Sequence, residues 1–553
     1  MLKPNEFLKD LTIHPHYQPQ LIKWLRPWRL KTYVDILIVV DTEISISASN
    51  SFGIATVIDL IRTSQVGCMK FRVDIAVRSN GALSVAANPG NEQAKYNGFR
   101  FNSTHSGSDI IDKYEQIWCF GFKPNNSGSS DDSIIDQNFA LPASNAELEK
   151  LDSWMTEKKG GIFGTGDHHF LGASMCRKIP RLGTMRRWTN ADGVPPIGTP
   201  DRIDTLRPPS AAYMPGAPGG PLALGNSSHQ GDLTVQSIQW VTWKSIFGPF
   251  FKKKRPHPVL CHPTMGPIDV MPDHAHEGLC VPAPNLSASK QFNSELEYPD
   301  ASGGGTKPQP EVIAYGSNLS EPPYNFVKGA QPARSNNPMI AVYDGHKAGV
   351  GRVATDSTWH HWMDVNIDNM KAANNDDWKK ISRYYINLAV WLNPPGYSTK
   401  CFYLSVISSH IQTVGFQEYN FDARRADLGI SLAEHLKLVY GPCWVTERIW
   451  DIIWELELIP RPKIPDFIKL LDELEVDTTR LEHLVLGSMV KATLKQAEQM
   501  KSVSFDDKKS RVKALDKPEK LFAEPIMGAL RDFTKDVGRN QKSRKKLESV
   551  LKK

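Results

Sequence analysis

Lys159-Gly160-Gly161-Ile162-Phe163-Gly164-Thr165-Gly166-Asp167-His168-His169 is the stretch that decides how this chain reads. A short apolar strand enters a glycine-paced turn and releases Asp-His-His where a helix is due to begin. Upstream, Ser144 to Glu147 fits a capping box, and Leu148, Leu151 and Met155 then fall on one helical face. Gly160-Gly161 is expected to end that helix, and Ile162 to Thr165 to form the strand into the turn. Phe170 to Ile179 is expected to continue as the following helix.

Moving outward, Tyr33 to Asp41 is nearly continuous in apolar residues, as buried parallel strands are. Phe52 to Arg62 has a helical period, and Phe71 to Val77 alternates as a strand does. Together they predict a β-α-β unit with a right-handed crossover. Gln116 to Gly121 predicts another buried strand. Short strands are expected at 312–315, 339–343 and 351–355, and a long helix at 376–392 that closes at Asn393-Pro394-Pro395-Gly396. These elements predict an α/β class with a parallel sheet covered by helices on both faces. The Pro/Gly/Ser-rich stretches between 189 and 311 read as long loop insertions.

The domain reading is a basic, aromatic lead-in over 1–30 and an α/β domain over 31–396. A helical region over 397–500 follows, then a lysine-rich, partly mobile tail over 501–553. Helices are expected at 432–438, 445–458, 464–474 and 479–500, forming an appendage to the α/β domain.

A chain of 553 residues with 40% hydrophobic and 23% charged content has the make-up of a water-soluble globular protein. The apolar run Val34 to Val40 is too short to span a bilayer, and the N-terminus carries no secretory pattern. Seven cysteines without a CxxC pair fit reduced thiols, so a cytoplasmic protein is expected, with no membrane association. The net charge of +6 sits partly in the tail and gives no nucleic-acid footprint, so nucleic acid is not an expected partner. A homo-oligomer or a protein partner docking on the C-terminal helices is the expected association.

The residues 33–395 resemble the class I glutamine amidotransferase-like, flavodoxin-like superfamily, and more narrowly a bacterial branch distantly similar to the trehalose-utilisation (ThuA-like) proteins. The resemblance rests on the first strand ending at Asp41, on Trp118-Cys119-Phe120-Gly121, on the helix 145–158 and on the stretch quoted above. Gly351-Arg352-Val353-Ala354-Thr355-Asp356-Ser357-Thr358-Trp359-His360-His361 and Asn387 to Pro395 complete it. It implies a flavodoxin-like parallel sheet. Amidotransferases of this superfamily carry a cysteine at the elbow, within Gly-x-Cys-x-Gly. In the register ending on Gly166 that position is Gly164, so cysteine-dependent glutamine hydrolysis is not carried over. Cys176, downstream, reads as a packed thiol.

Open parallel sheets bind ligands beyond the carboxyl ends of their strands. The polar residues just after predicted strands are therefore the candidates: Asp41; Asp167 and His168; Asp344 and His346; Asp356, His360 and His361. A loop adds Asp273, His274, His276 and Glu277. Imidazoles with carboxylates suit a divalent ion, Zn or Mn, for which His168, His274, His276, Glu277 and His346 are the ligand candidates. Asp167, His168, His360 and Asp356 are the catalytic candidates. Thr165, Gly166, Arg352 and Trp359 are the substrate-binding ones.

Each residue also has a plain structural role open to it. Asp167 caps a helix, His168 donates to a carbonyl, Arg352 pairs with a carboxylate, and Trp359 packs in the core. Ser357 with His360 and Asp356 is a nucleophile-base-orienter set, though close sequence neighbours rarely face one another in that relay. The functional expectation is a metal-assisted hydrolase of a small-molecule or protein substrate. The alternative is a non-catalytic binding or scaffold protein that has lost the amidotransferase nucleophile.

Overall fold

The computed structural model describes residues 32–41, 44–48, 53–120, 143–165, 179–187, 206–207, 235–243, 255–272, 279–280, 285–290, 292–316, 325–326, 337–395, 397, 425–474, 476, 478–499 and 518–551. An eleven-stranded sheet runs through the α/β part. Its centre is built from β1 (Thr32–Val40), β2 (Met69–Val77), β3 (Gln116–Phe120) and β4 (Gly161–Thr165). β5 (Glu311–Gly316), β6 (Asn337–Tyr343) and β7 (Val353–Asp356) extend it. β1 pairs in parallel with β2 and β3, β3 with β4, and β4 with β7. Counted along the chain, these five strands lie in the order second, first, third, fourth, fifth, and the short strand Tyr96–Asn97 adds in parallel beyond β2.

β6 and β5 break the parallel run. β6 lies antiparallel to β7, with Tyr343 opposite Val353 and Ile340 opposite Asp356, and β5 lies antiparallel to β6. The sheet is therefore mostly rather than wholly parallel, and β6 points the opposite way from the strands that flank the site.

Alternation along the strands sends side chains to two covers. Ile36, Ile38, Phe71, Val73, Trp118, Phe163 and Ala354 face one core, which takes in α1 (Ala55–Thr63), α3 (Asp364–Ala373) and α4 (Asp376–Trp391). Leu37, Val39, Ile117, Cys119, Ile162 and Val353 face the other, under α2 (Asn145–Glu157). Ser144 and Glu147 make both bonds of the expected capping box at the start of α2. The far end of α2 differs from expectation: Lys159, with φ 54°, makes the left-handed turn. Gly160 and Gly161 serve closeness instead; a Cβ on Gly161 would lie 2.0 Å from the Leu392 carbonyl oxygen.

The C-terminal helices are α5 (Arg425–Tyr440), α6 (Pro442–Glu455), α7 (Ile464–Glu473), α8 (Thr479–Gln499) and α9 (Pro518–Leu551). Every residue of α6 from Cys443 to Ile453 is buried, which makes it a core helix rather than part of an appendage. The tail also departs from expectation, because 518–551 is helical. Phe522, Ile526, Ala529 and Phe533 are buried in the same core as α8. Lysines hid this face: the apolar residues recur at helical spacing inside a segment whose composition reads as solvated.

Candidate functional site

β4 and β7 end side by side, and the chain that leaves β7 folds straight back over them. Thr165, the last residue of β4, donates its hydroxyl to the Thr358 carbonyl at 3.0 Å, and Thr355 donates to the Gly164 carbonyl at 3.0 Å. Asp356 ends β7 with its carboxylate fully buried. Its Oδ1 accepts the Thr358 N–H at 3.2 Å. Its Oδ2 meets His361 Nδ1 at 2.8 Å, Trp362 Nε1 at 3.3 Å and the Tyr384 hydroxyl at 3.1 Å.

The Trp362 and backbone N–H groups can only donate. Burial, and then the negative charge of Asp356, push the Tyr384 phenol well above its ordinary value, so it too stays protonated and donates. A carboxylate surrounded by donors is satisfied as an ionised acceptor, so His361 places its proton on Nδ1. In the neutral form of the ring, Nε2 is then the acceptor atom. That atom is buried and has no hydrogen-bond partner among the described residues.

The rings around the pair are held by packing. Trp362 lies 4.6 Å from Phe163, 5.3 Å from Phe120 and 5.9 Å from Trp118, centroid to centroid. The Tyr385 hydroxyl donates to the His361 carbonyl. The aromatic residues of β3, β4 and α4 thus form a floor that fixes where His361 points.

The structure separates the expected site residues. His361, not His360, takes Asp356. His360 stacks on Trp359 at 3.9 Å between centroids, and its backbone N–H is accepted by the Thr358 hydroxyl. In the 3-10 turn Trp359–His361 adjacent residues point about 120° apart, so one imidazole of the pair reaches the carboxylate and the other turns to the tryptophan. The local Ser357–His360–Asp356 relay does not form, because Asp356 orients a different imidazole. Trp359 is fully buried, a core position.

Asp344, His346 and Arg352 lie at the opposite edge of the sheet. Asp344 and His346 were expected beside Asp356 on the assumption that every strand ran the same way. Because β6 runs antiparallel to β7, its carboxyl end meets the amino end of β7, about 13 Å from Asp356 along the strand. Arg352 is no free substrate ligand. It donates to Asp344 at 2.9 Å, Glu447 at 3.1 Å, Asp451 at 3.0 Å and the Trp391 carbonyl at 3.2 Å.

Burial, reinforced by the Arg352 charge, pushes the His346 imidazole well below its ordinary value. Neither of its ring nitrogens has a partner among the described residues, but Arg352 and Arg448 make the position unfavourable for a cation. Asp41, at the end of β1, accepts the Ile44 N–H at 3.2 Å and is three strands, or about 14 Å, from β7.

Gly166, Asp167, His168, Cys176, Asp273, His274, His276 and Glu277 lie outside the described residues, as does nearly all of the helix expected at 170–179. Among the described residues no group of three His, Cys, Asp or Glu side chains is placed to hold a metal ion.

Sequence reading missed Asp364. Its two oxygens accept the Ala55 and Thr56 N–H groups, each at 2.9 Å, so a carboxylate of the chain itself fills the anion-binding N-terminus of α1. Burial pushes its pKa up to about 6. No local pattern could have revealed this contact between residues more than three hundred positions apart.

The chain matches no protein-family model, no curated protein and no solved structure in comparisons with each. The fold and the site define a mixed α/β protein with a large, mostly parallel central sheet and a C-terminal helical region. Among the described residues no helix is long and apolar enough to cross a membrane.

Proposed function

We propose that this chain is a hydrolase on a flavodoxin-like fold of the class I glutamine amidotransferase-like superfamily, distantly similar to the ThuA-like proteins, with His361 as its working group. The order of the five longer parallel strands, second-first-third-fourth-fifth, supports the flavodoxin-like assignment. One observation carries the chemistry: Asp356 holds His361 Nδ1 at 2.8 Å and fixes Nε2, which has no hydrogen-bond partner among the described residues, beyond the carboxyl ends of adjacent parallel strands.

A carboxylate behind an imidazole raises the basicity of the far nitrogen and fixes its direction, which suits proton abstraction from water or ligation of a divalent ion. His361 Nε2 fits as one ligand of Zn²⁺ or Mn²⁺. When bound, such an ion supplies an activated water. The elbow position Gly164 offers no thiol, so cysteine-dependent glutamine hydrolysis is not carried over. The substrate is a small molecule or a protein.

The test is calorimetric titration of chelator-treated protein with Zn²⁺ and Mn²⁺, together with turnover of nitrophenyl esters, phosphates and glycosides. Wild type is expected to bind an ion and to hydrolyse at least one of these ester or glycoside classes. A folded His361→Gln variant is expected to bind the ion at least about tenfold more weakly. Equal binding by that variant, or no ion and no hydrolysis with the wild type, overturns the proposal in favour of a non-catalytic scaffold.

A further inference from the structure

We propose that Cys261 and Cys443 form a peroxide-reactive thiol pair that closes to a disulfide between the segment 255–262 and the first turn of α6. The two residues are distant in sequence, and the fold sets them face to face. Cys261 follows the 3-10 turn Pro258–Leu260, and α6 begins at Pro442 behind Gly441, whose φ of 93° turns the chain into the helix. A Cβ on Gly441 would lie 3.7 Å from Cys261 Sγ, so this thiol sits against the N-terminus of α6.

The Cys443 thiol and backbone N–H both hydrogen-bond to Cys261, and both residues are 2% exposed. Neighbours already hold the two segments together. Arg255 Nη1 donates to Thr446 Oγ1 at 2.7 Å, and Asn387 Nδ2 donates to the Cys261 carbonyl at 3.0 Å. These bonds hold Cys261 beside the start of α6.

The surroundings divide the roles. The hydrogen bond from Cys443, with help from the Arg255 and Arg383 charges, lowers the Cys261 thiol against the effect of burial. The bond to Cys261, and then burial, raise Cys443. A thiolate at a helix N-terminus with arginines nearby is the reactive form of cysteine. Cys280 has no such setting; its Sγ donates to the Met339 carbonyl at 3.1 Å.

Cys261 opens the small hairpin 261–267, whose tip residue Thr264 is exposed. The Cys261 thiolate attacks one peroxide oxygen, the O–O bond breaks, and the other oxygen leaves as water after protonation. Cys443 then attacks the resulting sulfenic sulfur, the S–S bond forms, and a second water leaves. Two thiols have together given two electrons and two protons to one hydrogen peroxide.

The experiment uses the full chain, reduced, freed of reductant and exposed to hydrogen peroxide under native conditions. Free thiols are then alkylated in denaturant and the peptides mapped. A peptide joining Cys261 to Cys443 is expected, with a higher Tm for the oxidised protein. Cys443→Ser is expected to leave Cys261 as a sulfenic acid that dimedone traps. The proposal is overturned if both cysteines are still alkylated under conditions that oxidise a free-thiol control, or if the joined peptide appears only after unfolding. Wild-type mapping decides the matter even if the serine variant fails to fold.

Discussion

Arg352 Nη2 donates to Glu447 Oε1 across 3.1 Å and so joins the amino end of β7 to the middle of α6. The guanidinium also lies 4.6 Å over the Trp391 ring, whose Nε1 donates to the same Glu447 oxygen at 3.0 Å. The cluster brings Asp344, Glu447 and Asp451 around one arginine. Burial and the neighbouring Asp451 charge push Glu447 up to about 7, although Arg352 pulls the other way.

A raised carboxyl pKa binds a proton better in the folded chain, so its contribution to stability is present at low pH and is lost as pH rises from about 4.5 to 7. Glu447→Gln keeps an oxygen for Arg352 and Trp391 and removes the titration. Urea unfolding at pH 5 and pH 8 is expected to show the variant losing about 2–4 kcal/mol less than wild type between the two. Equal losses would mean that Glu447 is ionised throughout.

Asp356→Asn tests the anchor of the site. Three donors converge on Oδ2, and one more binds Oδ1. An amide puts its NH₂ against part of this set, so at least one buried donor loses its acceptor. The expected cost is about 2–4 kcal/mol by denaturant unfolding. Tyr384→Phe removes one donor and leaves the rest paired, so about 1 kcal/mol is expected. A neutral result for Asp356→Asn would show that the donors find other partners.

Glu147 gives the opposite pH dependence. Burial opposes its charge, but Arg78 at 2.6 Å and the Ser144 and Phe101 N–H groups outweigh burial and lower its pKa. Its contribution is therefore in place above about pH 4.5 and lost as pH falls through the lower folded value. Glu147→Gln removes the carboxylate charge that faces the buried Arg78 guanidinium. The expected loss is about 3–5 kcal/mol at pH 7, narrowing towards pH 3. Guanidinium chloride unfolding at both pH values checks the window.

The sequence-legible part of this protein is what repeats locally. Tyr33 to Asp41 could be read as a buried strand because its apolar run is nearly unbroken, and Ser144 with Glu147 because a capping box is a four-residue event. Strand direction is not local: Met339 to Tyr343 has the same composition whether it runs up or down. That ambiguity put Asp344 and His346 beside Asp356 when the fold sets them at the opposite edge. Adjacent histidines pose the same difficulty at smaller scale. Whether His360 or His361 meets Asp356 is decided by the 3-10 turn and by Trp359, not by residue type.

The C-terminal helix gives the last expectation, because composition and packing disagree there most sharply. Phe533 is 1% exposed in α9, among Phe522, Ile526 and Ala529, whereas Arg539 and Lys542 on the same helix are exposed. Arg480 and Asp536 pair across α8 and α9, but both are partly solvated, so the apolar face holds the helix rather than the ion pair. Phe533→Ala opens a cavity between the two helices, with an expected cost of about 3–5 kcal/mol. Arg539→Ala changes nothing that is buried and is expected to stay within about 0.5 kcal/mol of wild type. Thermal unfolding of the two variants side by side separates a packed helix from a solvated basic tail. If both are neutral, 518–551 does not dock as described.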